Sequence, residues 1–214
     1  MIIVGIDPGM SGGIAQLKQD GDRWLPSAIN MPETEKDIAD HLWSIYFEAT
    51  EQKIEVLAFL EKVHAMPATR EYKDANHVRN LAMKIAGHHD PQLIRKLTEC
   101  GLDKVTVTVQ GSTGTFTFGK NYGFLRGCLA TIGMPFEDVP PQTWQKLLGC
   151  QTRGDKNVSK RKAQHLFPTM KCTHKVSDAL LLAQFGRLVR TGTRAGRMFN
   201  TTATSHAPHE ALSF

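Results

Sequence analysis

Three acids stand where apolar residues would be expected. Asp7 closes the aliphatic run Ile2-Ile3-Val4-Gly5-Ile6, Glu61 closes a second run that begins near Ile54, and Asp178 opens Ala179-Leu180-Leu181-Leu182-Ala183. A carboxylate at the rim of a core is costly unless it is paired or bound to a cation. Each acid also has an ordinary explanation. Asp7, before Pro8, suits a turn; Glu61 has Lys62 and Arg70 as possible ion-pair partners; Asp178 suits a helix N-cap after Val176-Ser177. His174 precedes Asp178 by four residues, which puts both on one face of a helix. Gathered around one point, two Asp, one Glu and a His form a site for a hard cation such as magnesium or manganese. Two such ions, roughly 3.5–4 Å apart, can hold the attacking water and the leaving oxygen of an in-line phosphodiester displacement. That chemistry requires no Ser or Cys nucleophile.

The elements around these acids follow from pattern. Residues 2–7 read as a strand covered on both sides. Pro8 to Gly13 is a turn, Ile14 to Lys18 resumes as a strand, and Trp24 to Asn30 is a third. Thr34 starts a helix, with Glu35 and Asp37 in its first turn, running to about residue 51. Its buried face is Ile38, Leu42, Ile45 and Tyr46. Ile54 to Val63 is a buried strand. Residues 68–109 look like an insertion, with helical spacing at 74–86 and 91–100 and a short strand at 105–109. Thr113 to Gly119 reads as a Gly/Thr loop carrying Phe116 and Phe118. A helix over 121–132 ends at Gly133 and Pro135, a short strand covers 136–139, and Pro141 opens a helical turn. A basic helix over 157–167 follows the flexible Gly154-Asp155-Lys156, and the final helix spans 174–189. Residues from 191 onward lack periodicity and are expected to be disordered.

This order fits an α/β domain over 1–190 with a mixed sheet, elaborated by the 68–109 insertion. If Asp7 and Glu61 end adjacent parallel strands, they meet at the edge where open α/β sheets bind ligands. A final helix packed there would bring Asp178 to both. There is no internal repeat.

Composition bounds the function. At 214 residues, one domain is the default expectation. No apolar run approaches the roughly 20 residues that span a bilayer, and no secretory signal is visible, so a cytoplasmic setting is expected. The four cysteines form no CxxC pair, which suits a reducing compartment. Cys172-Thr173-His174 has no second ligand pair at zinc spacing. The net charge of +5 is modest, but the stretch from Arg153 to Arg197 is strongly basic, with Asp155 and Asp178 its only acids. That pattern fits either a phosphate-binding face or solvated helix surfaces with a basic tail.

The residues also carry a family resemblance. Ile3-Val4-Gly5-Ile6-Asp7-Pro8-Gly9 with Gly12-Gly13-Ile14-Ala15 resembles the first hairpin of RuvC-type Holliday junction resolvases, phage members in particular. Leu60-Glu61-Lys62-Val63-His64-Ala65-Met66-Pro67 is similar to their second acidic strand. Phe116-Thr117-Phe118-Gly119 with Tyr122-Gly123, Val139 through Lys146, Ser159 through Ala163 and Phe167-Pro168 continue the pattern. Ser177-Asp178-Ala179-Leu180 resembles the closing acidic helix. Each piece is weak alone; their order and number make the signal. It covers residues 1–67 and about 110–190.

The resemblance implies an RNase H-like nuclease domain that acts as a homodimer on four-way DNA junctions, using Mg2+, with Mn2+ able to substitute. Asp7, Glu61 and Asp178 match the family's metal-binding acids. Many members place an acid or His three residues before the last Asp; here that residue is Lys175, and His174 stands one earlier. The fourth position is left between His174, a candidate ligand one residue early, and Lys175, which stands at the family's place. Lys156, or one of Lys160 and Lys162, would face the scissile phosphate, while Lys120, Lys160, Arg161 and Lys162 would follow the DNA backbone. Phe116 or Phe118 would stack on an unpaired base, unless they pack on the next helix. Competing readings are a flap or RNA–DNA hybrid nuclease of the same fold, a non-catalytic junction binder, and an actin-like or sugar-kinase domain sharing the Gly-Ile-Asp-Pro-Gly loop. The last needs two such domains and a longer chain.

Overall fold

The computed structural model describes residues 1–62, 68–72, 105–109, 112–151, 155 and 157–192. The chain divides into two compact units, one of Met1–Val63 with Phe118–Phe214 and one of His64–Thr117.

The first unit is built on a five-stranded sheet in the order β3-β2-β1-β4-β7. The strands are β1 (Ile2–Asp7), β2 (Gly13–Asp20), β3 (Arg23–Asn30), β4 (Val56–Glu61) and β7 (Phe136–Val139). β1 to β3 form an antiparallel meander, whereas β1, β4 and β7 run parallel. Among the described residues, five helices accompany them: α1 (Glu35–Glu51), α2 (Ser112–Ile132), α3 (Pro141–Leu148), α4 (Asn157–Leu166) and α5 (His174–Arg190). This mixed sheet, flanked by helices, is the expected α/β class.

Strand alternation sorts the core into two layers. Ile2, Val4, Ile6, Val56, Ala58 and Leu60 pack with Leu42 and Ile45 of α1 and Leu125 and Leu129 of α2. Ile3, Leu57 and Phe59 face the other way, into a core with Trp144 of α3, Ala163 of α4 and Leu180 and Ala183 of α5. α1 begins where its cap dictates: Thr34 Oγ1 accepts from Asp37 N at 3.1 Å. Its buried face is Ile38, Leu42, Ile45 and Ala49, with Tyr46 only half-buried. α3 has Pro141 at its start and Gly149, at φ 63°, as its left-handed cap.

Two expectations need correction. Residues 113–119 are not a loop, because α2 already starts at Ser112. Gly and Thr have low helix propensity, but extending a helix already nucleated over 121–132 costs little per residue. Asp178 is not an N-cap: α5 is capped at Thr173 and starts at His174, so Asp178 lies inside it.

In the second unit, β5 (Ala68–Tyr72) and β6 (Val105–Val109) pair antiparallel, Ala68 opposite Val109. The strand at 105–109 was expected; its partner was not. The helical segments expected at 74–86 and 91–100 and the tail beyond residue 192 lie outside the described residues.

Candidate metal centre

Register brings the first two acids together. Ile6 pairs with Leu60 in the parallel ladder, so Asp7 and Glu61, one residue further along each strand, end side by side. Both share the parity of Ile3, Leu57 and Phe59, which places them on the α5 face of the sheet. α5 lies against that face closely enough that a Cβ on Gly5 would stand 2.1 Å from the Ala179 carbonyl oxygen. Asp178, the residue before Ala179, therefore arrives at the same edge.

Asp7 is half-buried, and its Oδ1 accepts from Gly9 N at 3.2 Å. The turn wraps it tightly: a Cβ on Gly12 would meet Asp7 Cγ at 2.7 Å and Oδ2 at 2.8 Å. Half-buried Glu61 accepts at Oε1 from the Trp144 indole Nε1 at 3.1 Å. Burial above all, then the Asp7 charge, raises the Glu61 carboxyl to about 8; the Trp144 hydrogen bond opposes this and the Asp178 charge adds to it. Asp178 also acts on Cys150. Burial first, then the Asp178 charge, pushes this buried thiol up to about 11, against the opposing charge of Lys162. Glu61 is thus within electrostatic reach of both Asp7 and Asp178, and Cys150 within reach of Asp178 and Lys162.

The other candidates are placed differently. His174 is exposed at the first position of α5. Its charge acts on Asp155, whose carboxyl is lowered chiefly by hydrogen bonds from Asn157. Lys175 is exposed too, and its carbonyl oxygen lies against Gly13. Lys160 and Lys162 are half-buried on α4, and exposed Arg161 faces Asp155 at 3.7 Å. Lys120 pairs with Glu35 at 2.9 Å. Phe116 is 75% exposed and Phe118 37% exposed, so neither is packed away. Lys156 lies outside the described residues.

Among the described residues, no group of three or more His, Cys, Asp and Glu side chains is gathered closely enough to hold an ion. The donor chemistry nevertheless fits a hard cation. Asp7, Glu61 and Asp178 offer only carboxylate oxygens, and burial first, then the charges of Asp7 and Asp178, penalise ionisation of Glu61. A divalent cation among them would offset that penalty. Trp144, Cys150 and Gly12 belong to the surroundings of these acids, and acid spacing alone did not mark them. The Gly12-Gly13 pair was a visible signal of close backbone approach.

These strands and helices define an α/β domain with a mixed sheet, Asp7 and Glu61 standing at the C-terminal ends of its central strands. Among solved structures, Thermus thermophilus RuvC is similar at 14% identity over 90% of this chain and 98% of that one, with a TM-score of 0.48. Thermus thermophilus RuvC in complex with Holliday junction substrate is similar at the same identity and coverage, with a TM-score of 0.46. No family model matches the sequence, and no curated protein matches it.

Proposed function

We propose that this chain is a metal-dependent DNA endonuclease that resolves four-way junctions by paired nicks in opposing strands. The observation that carries the reading is that Asp7 and Glu61, far apart in sequence, end adjacent parallel strands under α5, the helix that carries Asp178, and that Glu61 feels the charge of both other acids. A protein that only bound phosphates would gain nothing from three carboxylates at this place. The ordered motifs resembling the RuvC-type resolvases point to the same substrate.

In this reading Asp7, Glu61 and Asp178 hold Mg2+ or Mn2+, with His174 as the fourth candidate ligand. When bound, such ions activate water and stabilise charge on the phosphate. The chain's own residues do the rest. The Gly9 amide and the turn at Gly12 fix the Asp7 carboxylate. Lys162, on the α4 side of Asp178, meets the scissile phosphate; Lys156 remains the other candidate. Lys160 and Arg161 track the backbone through salt-sensitive contacts. Phe116 stacks on an unpaired base at the crossover, and Phe118 and Lys120 lie further along the same helix. The active form is a homodimer, one subunit per nicked strand. No described helix is long and apolar enough to cross a membrane.

The test is a nicking assay on a mobile-core four-way junction, a flap, a linear duplex and an RNA–DNA hybrid, with and without Mg2+. Symmetric Mg2+-dependent nicks in the junction are expected, with the other substrates cut far more slowly. Asp7→Asn should bring cutting below detection while junction binding survives. An Asp7→Asn protein that still cuts would remove Asp7 from the chemistry, and faster cutting of the flap or hybrid would transfer the chain to another nuclease class.

A further inference from the structure

We propose that Trp144 is a positioning residue: its indole N–H occupies one carboxylate oxygen of Glu61 and so presents the other to the cation. This rests on the metal-centre reading above and adds to it the residue that determines how Glu61 meets the ion.

Trp144 is 0% exposed and is among the largest fully buried side chains of the protein. An indole N–H can only donate, and burying it without an acceptor is costly. Its acceptor is Glu61 Oε1, at 3.1 Å. The backbone sets that meeting. Glu61 stands opposite Val139 in the β4–β7 ladder, and Lys62 N donates to Val139 O at 2.8 Å. From Val139 the chain passes directly through Pro140 and Pro141, whose rings fix φ, into α3. Trp144 follows one helical turn later, with Leu148 buried behind it and Gly149 closing the helix. Donor and acceptor are therefore held from both sides by paired strands and a short, doubly proline-started helix.

A carboxylate bound through one oxygen loses free rotation about its last torsion. Its second oxygen is then fixed in direction, and Glu61 would offer a cation that one oxygen. Removing such a bond behind a metal ligand typically lowers metal affinity about 10–100-fold. The rival explanation is that Trp144 is simply core and borrows Glu61 as a convenient acceptor. In that case its loss would lower stability and leave metal affinity unchanged.

The experiment titrates the full chain with Mn2+, following the free ion by EPR, in the wild type and in D7N, E61Q, W144F and W144F/E61Q. Loss of binding in D7N supports the centre itself. Trp144→Phe keeps a buried ring but no N–H, and is expected to weaken Mn2+ binding about tenfold. In the Glu61→Gln background the same change should add nothing. An unchanged Mn2+ affinity in W144F, or an equal loss with and without Glu61, overturns the proposal while the centre stands. Wild type that binds no Mn2+, or binds it equally well in D7N, overturns the centre and this proposal with it.

A second measurement leaves Trp144 in place, in case W144F does not fold. Trp24→Phe with Trp43→Phe leaves Trp144 as the sole indole of three. Its 15N-labelled N–H resonance is expected to move on Mg2+ addition and to stay still at the same Mg2+ concentration in E61Q. A resonance that ignores Mg2+ in a protein shown to bind it overturns the proposal.

Discussion

One face of β1 and β4 carries Ile2, Val4, Ile6, Val56, Ala58 and Leu60, all buried beneath α1 and α2. The opposite face of the same strands carries Ile3, Gly5, Asp7, Leu57, Phe59 and Glu61, beneath α5. The first face is unbroken aliphatic packing from end to end. The second has a gap at its centre, where Gly5 admits the helix backbone, and acids at its C-terminal end. Backbone and register are shared, so the difference lies in which parity of residue each helix layer meets. Close approach of α5 depends on small residues on both sides: Gly5 beneath Ala179 and Ala183, and Gly186 against Phe59. One layer is built to exclude water; the other is also built to bring Asp178 to Asp7 and Glu61.

The strongest way to break this contrast is Gly5→Ala. The added Cβ would lie 2.1 Å from the Ala179 oxygen and 2.5 Å from the Ala183 nitrogen. Both are helix backbone, so no side-chain rotation relieves the clash, and α5 must lift. We expect a loss of about 3 kcal/mol or more in urea unfolding. Nicking should also fall in the molecules that remain folded, because Asp178 moves with the helix. Wild-type stability in this variant would show that α5 does not need the approach the structure gives it.

Spread over several pH units is the consequence of crowding acids on one face. Without metal, the Glu61 carboxyl is raised from its ordinary 4.5 to about 8, by burial first and the Asp7 charge second. An acid raised on folding holds its proton more tightly in the folded state. Stability is therefore fully supported below about pH 4.5, falls as pH rises, and levels off above about 8. The slope contributed by this one group is at most about 1.4 kcal/mol per pH unit. Urea unfolding in EDTA from pH 5 to 9 should show a decline that Glu61→Gln flattens, while Mg2+ restores stability at the alkaline end. Parallel curves for wild type and E61Q would mean that the charge of Glu61 is not penalised in this fold.

Much of this arrangement was legible in the chain. Unbroken aliphatics gave β1 and β4, Thr34 with Glu35 and Asp37 gave the start of α1, and the period of 174–189 gave α5. The acids were conspicuous because each interrupts or borders an apolar run. What could not be read depends on which elements meet. That Trp144 ends beside Glu61 follows from the β4–β7 pairing, and that Cys150 feels both Asp178 and Lys162 follows from the packing of α4 and α5. The α2 start was hidden because Gly and Thr between 113 and 119 argue locally against helix, while the helix downstream extends through them. The role of Tyr46 was overread because periodicity marks a stripe and leaves open which of its borders is covered; Ala49 is the residue that is buried.

The smallest change tests whether the two faces are separable at all. Ile6 is 0% exposed and adjoins Asp7 in sequence, yet it points into the opposite layer, toward α1 and α2. Ile6→Val removes one methylene without altering strand propensity. The expected cost is about 1 kcal/mol in urea unfolding, the usual range for such a truncation. Mn2+ affinity and nicking per folded molecule should match wild type, because nothing on the α5 face is touched. A raised Mn2+ requirement in Ile6→Val would mean that a shift of β1 reaches Asp7 through the backbone. In that event the aliphatic layer would set the position of the acids as well as the stability, and the contrast between the faces would reduce to one of exposure.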